Sequence, residues 1–118
     1  MKTSNLSLVK SLKEMWETFD IDVVKDSLHD QVSYSCPSSL TWIGGKENVI
    51  NYLKMVLEGF QTLNFFIGID IEYKVVKKSK NYYSLLIHQT EGDKETKTLL
   101  EVDIWKDKIF CIEMDKVS

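Results

Sequence analysis

From Leu8 onward the apolar residues fall at Leu8, Leu12, Met15, Trp16 and Phe19, the spacing of one face of a helix with a 3.6-residue period. Asp20 is placed to cap a second, shorter helix in which Ile21, Val24 and Leu28 share a face while Asp22, Lys25 and Asp26 point to water. Residues 31–35, QVSYS, alternate as a short strand that Cys36-Pro37 ends. After a polar loop from Pro37 to Thr41, the run Val49, Ile50, Leu53, Val56 and Leu57 predicts a third helix ending at Gly59. Beyond Asn64 the period changes. FFIGIDIEYKVV, NYYSLLIHQ, TKTLLEVDIW and KIFCIEMD are rich in β-branched and aromatic residues, and KKSK, EGDKE and KD separate them, so a meander of four antiparallel strands is expected.

If Gly92-Asp93 and Lys106-Asp107 form two-residue turns, position 85 lies opposite 100 and position 102 opposite 111. One face then collects Tyr83, Leu85, Ile87, Leu100, Val102, Ile104, Ile109 and Cys111, joined by Ile69, Ile71, Tyr73 and Val75, and meets the helices. The other collects Tyr82, Leu86, His88, Leu99, Glu101, Asp103, Trp105, Phe110, Ile112 and Met114, too apolar a set to be left wholly in water. The expected architecture is α+β, a curved antiparallel-rich sheet with three helices packed on its concave face, in a single domain over residues 1–118.

The composition fits that reading, with 43% hydrophobic and 28% charged residues in 118. A net charge of -3 and a pI of about 5.4 give no reason to expect nucleic acid or a membrane as partner. Lys77, Lys78 and Lys80 read as a solvated turn. The chain has neither arginine nor alanine, a bias expected of an AT-rich bacterial genome. No apolar run reaches the length of a membrane span, and MKTSNLSLVKSLKE lacks a continuous signal-like segment, so a cytoplasmic location is the default expectation. Cys36 and Cys111 have no CxxC and no histidine cluster nearby; free thiols are expected, with no metal and no cofactor.

Gly45-Lys46-Glu47-Asn48-Val49 with Tyr52 and Leu53 resembles the glycine-led helix of the nuclear transport factor 2-like superfamily, in particular its SnoaL-like branch. Trp105-Lys106-Asp107-Lys108-Ile109, ending in Glu113 and Asp115, is similar to that family's final hairpin, with Asp107 in place of the usual turn glycine. The resemblance covers nearly the whole chain. It implies a cone whose open end is a hydrophobic pocket between sheet and helices, and a homodimer formed through the sheet's outer face. Trp42 would lie on a loop crossing the pocket mouth.

On this reading the pocket is lined by Trp16, Tyr34, Trp42, Tyr52, Tyr83, Val102 and Cys111, and a small, largely apolar molecule is the expected ligand. Glu113 and Asp115 share the expected inward parity, and a carboxylate facing an apolar cone has the raised pKa that a general acid or base needs, so both are the candidate catalytic residues. Against that stands a structural reading in which the strand has already left the cone. The glycine pair before the helix lacks P-loop spacing, and His29-Asp30 reads as a helix cap with a surface imidazole. His88 falls on the outer face opposite Lys97, as an interface histidine. Steroid isomerases of the superfamily carry an aspartate before a proline at the end of the first strand and a tyrosine on the first helix. Here Cys36 precedes Pro37 and the first helix has no tyrosine. The related epoxide hydrolases depend on an Asp-Arg-Asp arrangement that a chain without arginine cannot hold. Three functions therefore remain open: a small-molecule binder, a cofactor-free isomerase, cyclase or hydrolase using a pocket carboxylate, and a protein-interaction module.

Overall fold

The structure is a computed structural model and describes residues 4–36, 40–67 and 70–117, with side chains described for these except at 60–67, 70, 91, 116 and 117. Helix α1 spans Asn5–Thr18 and buries Leu8, Val9, Leu12, Met15 and Trp16. Ser4 caps its start, Oγ accepting the Ser7 amide at 3.1 Å, and Phe19 ends it in the left-handed region at φ 58. The Asp20 carboxylate accepts the Asp22 amide at 3.0 Å, as the sequence suggests, but α2 is a single turn, Asp22–Lys25. Strand β1 spans Leu28–Cys36, three residues earlier at its start than the alternation of 31–35 indicates.

Two stretches differ from expectation in kind. Thr41–Gly44 is a strand, β2, that pairs antiparallel with the end of β1. Helix α3 spans Lys46–Ile67 and runs through Gly59. A helical glycine costs only about 1 kcal/mol relative to alanine, and Gly59 is on the solvent side with nothing within 4 Å of the place a Cβ would take. Phe65–Ile67 thus belong to the helix, and β3 begins at Asp70; Pro37 and Ile69 lie outside the described residues. The remaining strands are β3 (Asp70–Ser79), β4 (Tyr82–Glu91), β5 (Lys94–Trp105) and β6 (Lys108–Val117).

The strands form one six-stranded sheet in the order β2-β1-β6-β5-β4-β3. Every pairing is antiparallel except that of β1 with β6. The helices lie on the concave face, where Leu12, Met15, Trp16 and Leu53 meet Tyr34, Tyr83, Leu85, Leu100, Val102, Ile109 and Ile112 in one buried core. The α+β architecture read from the sequence is therefore the observed one.

The hairpin β4–β5 keeps the expected register, Leu85 opposite Leu100. The hairpin β5–β6 does not. Its turn residues Lys106 and Asp107 have φ 51 and 60, the left-handed pair of a tight hairpin turn, and Ile104 stands opposite Ile109. The next pair is Asp103 with Cys111, so Phe110 is an extra residue in β6. Such a β-bulge reverses the side of every later residue. Val102 consequently stands opposite Ile112, not Cys111; Ile112 and Met114 turn inward, while Cys111, Glu113 and Asp115 turn outward. Desolvation supplies the reason, because the unbulged register would press two carboxylates into the apolar core and leave Ile112 and Met114 in water.

Two outcomes are expected from this packing. Trp16, 2% exposed, fills the centre of the core, so Trp16→Ala should lower stability by about 3–5 kcal/mol in a denaturant titration. The Tyr73 hydroxyl donates to the Trp16 carbonyl at 3.0 Å. Burial first, and then the charge of Glu17, push its pKa up to about 12, and burial beside Tyr52 raises Tyr34 as well. A pKa raised in the folded state means that the native protein holds protons which the unfolded chain releases near its ordinary value of about 10. The denaturation midpoint should therefore be insensitive to these groups below pH ~10 and fall as pH rises toward ~12.

Candidate functional site

The concave side holds Trp16, Tyr34, Tyr52, Tyr83 and Val102 of the expected pocket. Trp16, Tyr34, Tyr83 and Val102 are packed solid, at 2%, 1%, 4% and 0% exposure. Tyr52, on α3, is half-buried, and its ring lies 5.0 Å from that of Tyr34. The Tyr34 hydroxyl reaches the Met114 thioether at 3.2 Å, a weak acceptor for a buried phenol. Surface depressions occur elsewhere. One of about 440 Å³ lies where the start of α1 meets the β3–β4 and β5–β6 turns, and one of about 300 Å³ lies between the α1–α2 corner and α3.

The other members of the expected site are on the convex side. Tyr34 faces the core, so Ser35 and its cross-strand neighbour Trp42 face away from it. Trp42 is 72% exposed and is carried by strand β2, not by a loop. Its ring folds back over Gly44, where a Cβ would meet the ring at 2.7 Å. Gly45 adopts φ +94, which only glycine takes readily, and the Gly45 amide bonds the Val32 carbonyl at 2.9 Å to set the entry into α3. The glycine pair is thus accounted for by a stacked ring and a turn. Cys111 stands opposite Asp103 on one side and Ser33 on the other. Glu113 stands between Glu101 and Ser35, and Asp115 stands opposite Leu99. Both candidate carboxylates therefore lie on the face remote from the helices, a consequence of the bulge at Phe110.

This convex face has a chemistry of its own. Glu101 accepts from the Ser84 hydroxyl at 3.3 Å and from the Tyr82 phenol, which that bond, then burial, pushes up to about 12. Burial and the neighbouring charge of Glu101 raise the Asp103 carboxyl. Toward the β5–β6 turn, Phe110 meets Trp105 and His29 edge-on at 5.2 and 5.3 Å, and the Lys106 ammonium sits 4.4 Å over the Trp105 ring. The His29 Nδ1 accepts the Gln31 amide at 3.0 Å, so this imidazole belongs to an aromatic cluster and not to a helix cap. At the sheet centre Leu86 and Leu99 are direct neighbours. Period-two reading anticipates Tyr82, Leu86, Leu99 and Glu101 here, but it omits Ser84, Trp42 and Cys111. Ser84 has the right parity and is passed over only because it is small and polar.

Among the described residues, no group of His, Cys, Asp and Glu could hold a metal ion, and no helix is long and apolar enough to cross a membrane.

No family profile matches the chain, and no curated protein sequence does. Solved structures do match. A putative ketosteroid isomerase from Kribbella flavida superposes with a TM-score of 0.73 at 9% identity, over 97% of this chain and 78% of that one. A steroid delta-isomerase from Pseudomonas aeruginosa gives 0.71 at 14% identity, over 99% and 82%. An NTF2-like protein of unknown function from Cytophaga hutchinsonii gives 0.70 at 14% identity, over 99% and 95%. Identities this low speak to architecture alone, and with the curved sheet and its three helices they agree on it: this chain has the NTF2-like fold.

Proposed function

We propose that this domain is an interaction module that pairs with a second copy of itself through its convex sheet face. The observation that carries the reading is the uncovered apolar surface there. Leu86 and Leu99 sit at its centre, with Trp42, Trp105 and Val76 at 72%, 48% and 36% exposure around them. Strands spaced about 4.8 Å apart and rising about 3.3 Å per residue give a face on the order of 700 Å², close to the ~800 Å² per partner of a standard interface. Each large apolar side chain removed fully from water contributes roughly 1.5–3 kcal/mol.

A second reading keeps a small apolar ligand on the concave side, where Tyr52 stands half-open beside the Tyr34 phenol, hydrogen-bonded to it, and the Met114 thioether lies within reach of the same phenol. The isomerase names of two similar structures make a steroid-sized molecule the first probe for it. The catalytic version of that reading loses its residues, since Glu113 and Asp115 face the other way.

Sedimentation at micromolar concentration should show a dimer for the unaltered chain. Leu86→Lys, with its helix and strand content unchanged by circular dichroism, should sediment as a monomer. A monomeric unaltered chain, or a Leu86→Lys variant that still pairs, would overturn the proposal. Native mass spectrometry addresses the second reading: a retained apolar adduct lost in Tyr52→Ala supports it, and an adduct-free chain that takes up no added steroid removes it.

A further inference from the structure

Strand β3 is an edge of the sheet: β4 pairs with one side of it, and among the described residues no strand pairs with the other. An edge ten residues long is an open ladder of amides and carbonyls, and proteins guard such edges with lysines, bulges or short strands. The opposite edge, β2, is guarded by being only four residues long. On β3 the guard stands in the second half. The β3–β4 register slips between Lys77 and Ser79, so Lys78 is an extra residue there, and Lys77, Lys78 and Lys80 are all exposed. The run from Ile71 to Val75 keeps a regular register with β4.

That run complements itself. IEYKV has the apolar Ile71 and Val75 outermost, the opposite charges Glu72 and Lys74 next, and Tyr73 at the centre. When two copies of an edge strand pair antiparallel about a twofold axis normal to the sheet, residues directly opposite share a face, so a single residue sits on the axis. With Tyr73 there, Glu72 meets a second copy's Lys74 and Ile71 meets its Val75, each twice over by symmetry, and Asp70 stands opposite Val76. Moving the axis to Glu72 or Lys74 sets like charges against each other, which is destabilising. Moving it to Val75 brings the bulged Lys78 into the ladder. Within the chain's own sheet Lys74 stands opposite Leu86 and Glu72 opposite His88, and among the described residues neither Glu72 nor Lys74 takes part in an ion pair.

The helix beside this edge repeats the pattern. Helix α1 runs back along β3, from Asn5, whose side-chain amide donates to the Lys80 carbonyl, to Trp16, whose carbonyl accepts from Tyr73. A groove of about 620 Å³ separates the two, with Tyr73, Lys74 and Val75 on its strand side. On its helix side are Lys10, Lys13, Glu14 and Glu17, which share one face at i, i+3, i+4 and i+7. Two positive charges are followed by two negative ones, so a second copy running the opposite way sets its acidic end beside this basic end. Lys13 and Glu17 already pair at 3.5 Å within the helix, which leaves Lys10 and Glu14 as the main contributors across the axis.

We infer that a second copy of this chain docks on the β3 edge, Ile71–Val75 against Ile71–Val75, antiparallel about Tyr73, so that the sheet continues from one copy into the next. Pairing of convex faces is not required for it, since that contact joins faces and this one joins edges. Five residues a side fall well short of a standard interface, so edge pairing is weak and shows only above the micromolar range. Where both contacts operate, each chain carries two different twofold contacts, and face-paired dimers link edge to edge into larger assemblies.

Hydrogen exchange and sedimentation test it together. In the unaltered chain the amides of residues 71–75 should exchange more slowly as concentration rises from micromolar toward millimolar, which pairing of convex faces would not produce because it leaves this ladder open. For sedimentation the convex face is blocked by Leu99→Lys, with helix and strand content checked by circular dichroism. In that background Glu72→Lys alone and Lys74→Glu alone should each weaken the high-concentration dimer about tenfold, and the chain carrying both should recover it. Recovery of Glu72→Lys by Lys78→Glu, and not by Lys74→Glu, places the axis at Val75 and overturns the Tyr73 register. Exchange at 71–75 that stays equally fast at every concentration, or a double reversal no tighter than the singles, overturns edge pairing. Each of these outcomes leaves convex-face pairing to its own test at micromolar concentration.

Discussion

A strand presents its side chains alternately to two sides, and one inserted residue exchanges the sides for everything that follows. In this protein that residue is Phe110. Its presence lets Ile109 and Ile112, three positions apart, both reach the core, and it brings Met114 under the Tyr34 hydroxyl. The same exchange delivers Cys111, Glu113 and Asp115 to the outer face, and it releases the Phe110 ring to pack against His29 and Trp105. The chemical character of both faces is therefore decided at one backbone position. A packed interior and an acidic exterior row are two results of one local irregularity.

Much of the architecture can be read from periodicity, because burial imposes it directly. The face of α1 and the alternation through β4 and β5 are each carried by side chains that must leave water, and Gly92 at φ 59 pins the β4–β5 register. The irregular features are less legible for physical reasons. Strand β2 is four residues long, too short to show alternation, and two of those are threonine and glycine. Gly59 looks like a helix stop, but a glycine interrupts a helix only when the chain beyond it has somewhere better to go. The bulge does leave a trace: in KIFCIEMD the apolar residues Ile109, Ile112 and Met114 break strict alternation. The expected site divided accordingly, its aromatic members upstream of the bulge staying inside and its carboxylates downstream going out. Trp42 went astray separately, through the unrecognised strand that carries it.

The isomerase-like structures share this fold at 9% and 14% identity. What persists at that level is the pattern of buried positions and turns, while the residues that carry chemistry are free to differ. In this chain the concave side is filled by Trp16, Tyr34 and Tyr83, and the carboxylates Glu101, Glu113 and Asp115 are on the opposite face. The scaffold is shared. The working surface proposed here is the one that faces away from the helices.

The pairing of β1 with β6 joins Leu28 to Ile109 across most of the chain, and Lys108 Nζ and the Ile109 amide bind the carbonyls of Asp26 and Ser27 at the same junction. A ribosome releases the N-terminal helices and β1 long before β6 exists. Until then β1 has only the four-residue β2 beside it, and the edge that β6 will fill is open to any passing strand. The β3–β4–β5 meander can form from near neighbours, but the sheet closes only when its last strand arrives. Folding of this domain should thus be limited by a single late, long-range docking event, and its nascent form is the state most exposed to aggregation.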